Sequence, residues 1–173
     1  MQVVLDSVSL LHLLRPSKPS KKAKRSTPAH QNPLDRPMRL GKIRLAVDSQ
    51  RGLISQWQEL CGIEVVKVLI TRWEELDGIF VIENPLRPKP AIAKRLRILC
   101  FGLKSPIDTL ILRLALATVD RIIVSEDSDF WDPTKPKNDP GVLGNPNAPV
   151  ARLCREELNV TILLLRMLMT RLR

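Results

Sequence analysis

The chain has 173 residues, 44% of them hydrophobic, but only 3% are aromatic and none is tyrosine. That length holds one domain, with or without an appendage, and the core it buries must be built from Leu, Ile, Val and Ala. Twenty-eight lysines and arginines against 18 acids leave a net charge of +10 and a pI near 10.1. This excess favours polyanionic partners such as nucleic acid or an anionic membrane and says nothing about fold.

The three cysteines, Cys61, Cys100 and Cys154, form no CxxC pair, and only His12 and His30 could join them. A disulfide framework and a structural zinc site are both disfavoured, and buried thiols in a reducing cytosol are expected. No apolar stretch approaches the ~20 residues that span a bilayer. The opening MQVVLDSVSLLHLL lacks a basic leader and carries Asp6 inside its apolar run, so it reads as a strand and a helix rather than a signal peptide. A cytoplasmic protein with no membrane partner is the expectation.

Residues 2–6 (QVVLD) read as a short strand buried on both faces, and 7–14 (SVSLLHLL) as a helix with a serine available for its N-cap, stopped by Pro16. Residues 15–41 hold five prolines and many cations and read as a basic loop or linker with little to bury. Six of the eleven residues from Arg15 to Arg25 are basic and none is acidic. Lys18, Lys21, Lys22, Lys24 and Arg25 are candidates to hold a nucleic-acid backbone, and a solvated loop is the competing explanation.

A second strand is predicted at 42–48 (KIRLAVD), then a helix at 53–62 closed by Gly62. Apolar Val66, Leu69, Ile70, Trp73 and Leu76 recur at three- and four-residue steps and predict a helix over 64–76. Residues 78–83 (GIFVIE) suit an edge strand, and 91–102 a helix ending at Gly102. The helix at 105–119 opens with Ser105 as N-cap, Pro106 at the first helical position and Asp108 three residues after the cap. Residues 121–125 (RIIVS) are a core strand, 131–149 a long proline-rich loop, 150–158 a helix and 159–165 a last strand. The tail RMLMTRLR suits a short amphipathic helix. Strands alternating with helices predict an α/β protein, with a mostly parallel central sheet covered on both faces.

Sites in such sheets form outside the carboxyl ends of the strands. Asp6 stands at one such end, Asp127 and Asp129 at another, and Asp108 in the first turn of its helix. With 127–129 extended, the two carboxylates two positions apart point to the same side. Converging oxygen ligands without His or Cys suit a hard ion, Mg²⁺ or Mn²⁺. Such an ion binds a phosphate and lowers the pKa of an attacking water, the chemistry of phosphodiester hydrolysis. Each acid also has a structural explanation: Asp6 as a helix cap, Asp108 as the acid of a capping box, Asp127 and Asp129 as turn residues. Glu126 points to the other side as a bystander. The stretch DSDFWD lacks the glycine of an EF-hand loop, no glycine-rich phosphate loop exists, and neither histidine accompanies a Ser or Cys nucleophile. Trp57 and Trp73 fall in helical patterns and belong to the core, whereas Trp131, beside the acids, is the candidate for stacking on a base.

Together, VVLDSVSLL, SPIDTLILRLALATVDRIIVSEDSDF and LCREELNVTIL resemble a PIN-domain nuclease. The resemblance covers the first fourteen residues and roughly 105–165. It implies a three-layer α/β/α sandwich and a Mg²⁺- or Mn²⁺-dependent endonuclease acting on phosphodiester bonds, with RNA the commonest substrate. Asp6, Asp108 and Asp127 match that family's metal-binding acids, Asp129 matches a fourth and variable one, and Ser125 stands where the family often has Thr. A further helical acid has three nominees, Glu59, Glu83 and Asp48. The resemblance leaves open the toxin of a toxin–antitoxin pair, with an antitoxin as partner, and a nuclease in a defence or processing complex whose tail contacts a partner protein. It also leaves open a homo-oligomer, and a catalytically inactive PIN-like module that binds nucleic acid or protein.

Overall fold

The strand β1, Gln2–Leu5, lies at the centre of a five-stranded, all-parallel sheet. The computed structural model describes residues 1–14, 32–103, 105–135 and 141–173. The other strands are β2 (Arg44–Asp48), β3 (Ile79–Ile82), β4 (Ile122–Val124) and β5 (Thr161–Leu163), in the order β3-β2-β1-β4-β5. Val3, Val4, Leu5, Ile123 and Val124 are fully buried, as strands covered on both faces require. The helices flanking the sheet complete the α/β architecture expected from the alternation of patterns, consistent with a three-layer α/β/α sandwich.

The helix α1 (Ser7–Leu14) follows β1 without a break, because the Asp6 carbonyl already accepts from the Leu10 N–H at 2.9 Å. The short α2 (Asp35–Arg39) precedes β2; α3 (Gly52–Cys61) and α4 (Ile63–Glu75) lead to β3; α5 (Pro90–Ile98) and α6 (Pro106–Ala117) lead to β4; α7 (Pro149–Leu158) joins β4 to β5, and α8 (Leu165–Arg171) follows. Helix α6 packs across β1, β2 and β4, and α1 packs on α3. Trp57 and Trp73 are fully buried and meet edge to face, centroids 6.4 Å apart.

Several expectations are corrected. Residues 32–41 are not a loop with little to bury: α2 forms there, and Leu34 and Met38 enter the core. Its Pro37 is tolerated because a proline in the first turn of a helix removes no hydrogen bond the helix would make. Residues 15–31, with most of the proline-rich basic stretch, lie outside the described residues. Helix α5 ends at Ile98 rather than Gly102, since Cys100 (φ 62°) and Gly102 (φ 70°) both turn left-handed. Of the thiols only Cys154 is buried, and burial pushes it up to about 12; Cys61 is half-buried and Cys100 exposed. The tail forms a helix as expected, with Leu168 and Leu172 buried in the core and Met167 exposed. No helix among the described residues is long and apolar enough to cross a membrane.

Candidate functional site

Strand order reverses between β1 and β4: β2 and β3 lie to one side of β1, and β4 and β5 to the other. The carboxyl ends of strands at such a switch point border the crevice where ligands bind in open α/β sheets. Asp6 ends β1 and Ser125-Glu126-Asp127 continues β4, with the Asp6 N–H donating to the Val124 carbonyl at 2.9 Å. The β1–β4 register, Val3↔Ile122 to Leu5↔Val124, sets Asp6 level with Ser125 when continued by one residue. The β1–β2 register, Gln2↔Arg44 and Val3↔Leu45, sets it level with Asp48.

Asp6 is 3% exposed. Its carboxylate accepts from the Ser125 hydroxyl at 3.0 Å and from the Ser7 hydroxyl at 3.4 Å. Burial nevertheless pushes its pKa up to about 6; the Ser125 hydrogen bond opposes the rise and the charge of Asp127 adds to it. Asp6 and Asp127 are thus a pair that repel across the switch point. Ser125 links them further, because its hydroxyl oxygen accepts from the Asp127 N–H at 3.0 Å.

The turn after Asp127 departs from expectation. Asp127 is extended (φ −87°, ψ 131°), but Ser128–Phe130 closes into a single 3₁₀ turn. The Asp127 carboxylate caps that turn by accepting from the Asp129 N–H at 3.1 Å. Residues 127–129 therefore do not alternate as a strand, and the geometry expected to aim Asp127 and Asp129 to one side does not hold. Asp129 is buried within the turn.

Asp108 lies in the first turn of α6 and is 4% exposed. Because α6 runs into β4, that turn stands at the carboxyl end of the sheet with Asp6 and Asp127. The Ser105 hydroxyl makes no cap hydrogen bond. Asp48, the buried member of the three nominees for a further acid, accepts from the Gly52 N–H at 2.7 Å and the Leu53 N–H at 2.9 Å, capping α3. Glu59 and Glu83 are exposed. Leu110, two residues past Asp108, packs on Gly52, where a Cβ would stand 3.0 Å from its Cδ2. The starts of α3 and α6 thus meet beside β1.

Among the described residues no three His, Cys, Asp or Glu side chains converge closely enough to hold one metal ion. The acids line one end of the sheet, and Asp6 and Asp127 are the two shown to act on each other. Lys18, Lys21, Lys22, Lys24 and Arg25 lie outside the described residues. Trp131 is corrected: it is 1% exposed, its Nε1 donates to the Ser125 carbonyl at 3.4 Å, and it braces the acid turn from within the core rather than offering a face to a base.

Glu126 points away from Asp6, as strand alternation predicts, but it is no bystander. Its carboxylate accepts from the Leu165 N–H at the start of α8 at 2.8 Å, and its own N–H donates to Ser9 Oγ at 3.0 Å. Replacement of Glu126 by Ala should cost about 1–2 kcal/mol, the scale of a charged hydrogen bond at a helix start. Chemical denaturation measures that loss.

These elements define a parallel α/β domain with two interacting carboxylates at its switch point. Comparison of the chain with known protein families, with curated proteins and with solved structures finds no match.

Proposed function

We propose that the chain is a divalent-metal-dependent endonuclease of PIN type that hydrolyses phosphodiester bonds, with RNA as substrate. The observation that carries this reading is the buried Asp6 carboxyl, raised by burial and by the charge of Asp127, at the point of the sheet where ligands bind. Two repelling carboxylates with no His or Cys donor suit a hard dication. Mg²⁺ in particular is held by one or two carboxylates plus waters and substrate phosphate, so a pair meets its need where three acids do not converge. Asp6 and Asp127 would hold Mg²⁺ or Mn²⁺, with Asp108 and Asp129 at its margin. The bound ion would supply charge for the phosphate and an acidified water. Ser125 orients Asp6 by donating to it and steadies the Asp127 backbone, Trp131 and Glu126 fix the turn, and the burial of Asp6 keeps bulk water from its carboxylate.

The test incubates purified protein with RNA and with single- and double-stranded DNA, in Mn²⁺, Mg²⁺ or EDTA. Cleavage should require metal and favour RNA. EDTA or Asp127→Asn should lower it by about two orders of magnitude or more, the scale of losing several kcal/mol of transition-state stabilisation. Cleavage that survives both sinks the mechanism. The capping roles of Asp48 and Asp127 favour a second reading, a non-catalytic PIN-like module that binds nucleic acid or protein. Binding without cleavage in either metal selects that reading.

A further inference from the structure

From Asn84 to Ile107 the chain carries six lysines and arginines and no acid. Helix α5 and its lead-in supply Arg87, Lys89, Lys94, Arg95 and Arg97, all exposed. The helix buries Ile92 and Leu96 one turn apart, leaving its cations on the solvent side. A run of charge is usually a solvated face, but most of this one is unneutralised. Of these five cations only Arg95 forms an ion pair among the described residues, with Glu157 at 2.6 Å, while Arg87, Lys89, Lys94 and Arg97 have no acidic ion-pair partner there.

The strip also has a direction. At its start, Arg87, Lys89 and Ile92 line an open cleft of about 330 Å³ with Arg121 and Asn159, which precede β4 and β5 at the amino end of the sheet, and with Glu156 and Glu157 of α7 on its far wall. At its finish, Phe101 packs edge-on against Phe130 of the acid turn, centroids 5.3 Å apart. Nine helical residues span about 14 Å. The cations therefore run from the far end of the sheet to the side of Asp127 and Asp129.

The geometry points to α5 as a phosphate track, on which a single-stranded RNA lies by its backbone with one end at the acid turn and the other at the Arg87–Arg121 cleft. The inference rests on the reading of the acid site as a phosphodiester site. Backbone recognition of this kind is sequence-independent and releases counterions, so its signature is salt dependence. An anionic membrane is the competing polyanion, since Leu86, Ile98 and Leu103 are exposed beside the cations. A track that leads to the acids favours nucleic acid.

The test titrates the full chain against a fluorescein-labelled single-stranded RNA by anisotropy across a series of NaCl concentrations, with EDTA throughout so that binding is read without cleavage. The variant Arg87→Gln/Lys89→Gln/Lys94→Gln/Arg97→Gln spares the Arg95 pair. A charge-matched control, Lys18→Gln/Lys21→Gln/Lys22→Gln/Lys24→Gln, removes as many charges from the other basic stretch. The slope of log affinity against log salt should flatten by about 3 in the α5 variant, at ~0.7 for each single-strand phosphate no longer neutralised, and by less in the control. An α5 variant that keeps the wild-type slope overturns the track, as does a wild type that binds phosphatidylserine vesicles but no RNA. If circular dichroism shows the fourfold variant unfolded, Arg97→Gln alone should flatten the slope by ~0.7, and an unchanged slope overturns the track. Binding through α5 with no cleavage in Mg²⁺ or Mn²⁺ overturns the nuclease reading alone. Cleavage by the wild type with unaltered binding by the variant overturns the track alone.

Discussion

Asp6→Asn should give a protein that melts several degrees above the wild type at pH 7 and, on the proposed nuclease reading, cleaves no RNA. Both effects come from one atom group. The Asp6 carboxyl titrates near 6 in the folded state against an ordinary value of 3.8, because burial disfavours its charge and Asp127 repels it. Between those values the native state holds a proton that the unfolded chain has lost. Stability therefore falls as pH rises through about 4 to 6, and the full cost, about 3 kcal/mol, stands at pH 7. An asparagine carries no charge, and its side-chain oxygen can still accept from Ser125, so about 1–3 kcal/mol should return. At about 2–4 °C per kcal/mol for a chain of this length, the gain is visible in a thermal melt. Adding Mn²⁺ should raise the melting temperature of the wild type at pH 7 but not that of the variant. A variant that melts lower at pH 7 contradicts the burial argument, and one that still cleaves contradicts the site.

Trp57→Ala should be among the most destabilising single changes in the chain, at about 3–5 kcal/mol by urea denaturation. The ring is fully buried, meets Trp73 edge to face, and donates from Nε1 to the Leu5 carbonyl at 3.1 Å. That carbonyl belongs to the residue before Asp6, so the indole fixes the end of β1 on which the site is built. Trp57→Phe separates the two roles. It keeps most of the ring but leaves the Leu5 carbonyl without this donor, at a cost of about 1–3 kcal/mol. If the donor positions the site, the Phe variant should also show a smaller Mn²⁺-induced shift in melting than the wild type. An unchanged shift would make Trp57 a packing residue only.

Where one physical signal governs an element, its extent was legible. The β-branched run 2–5 followed by serine locates β1 and α1, the three- and four-residue steps locate α4, and Ser105-Pro106 opens α6. Competing signals misled elsewhere. The proline-rich composition of 15–41 hid α2, whose Leu34 and Met38 matter more than Pro37. Gly102 as a helix stop suggested a longer α5, although Cys100 already turns left-handed. The site was legible as positions rather than as geometry. Asp6, Asp108 and Asp127 do stand at one end of the sheet, but only the strand register reveals that Asp48 and Ser125 share a level with Asp6. Nor could spacing foresee that Asp127 spends an oxygen on the Asp129 N–H. Glu126 shows the same limit: alternation gave its direction, while its partner, Leu165, is 39 residues away.

The hydrogen bond between Ser125 and Asp6 joins residues 119 apart in sequence. Parallel strands cannot pair through a tight turn, so this bond must wait until the intervening chain has been made and threaded through its crossovers. Non-local pairing of this kind slows folding. Until the fourth strand has been made and docked, the acid at position 6 has no Asp127 beside it to repel it. Its unusual titration is complete only when the fourth strand has docked and set Asp127 near it. The protonation of one carboxyl would thus report, in time-resolved refolding, the moment at which the central pair of strands closes.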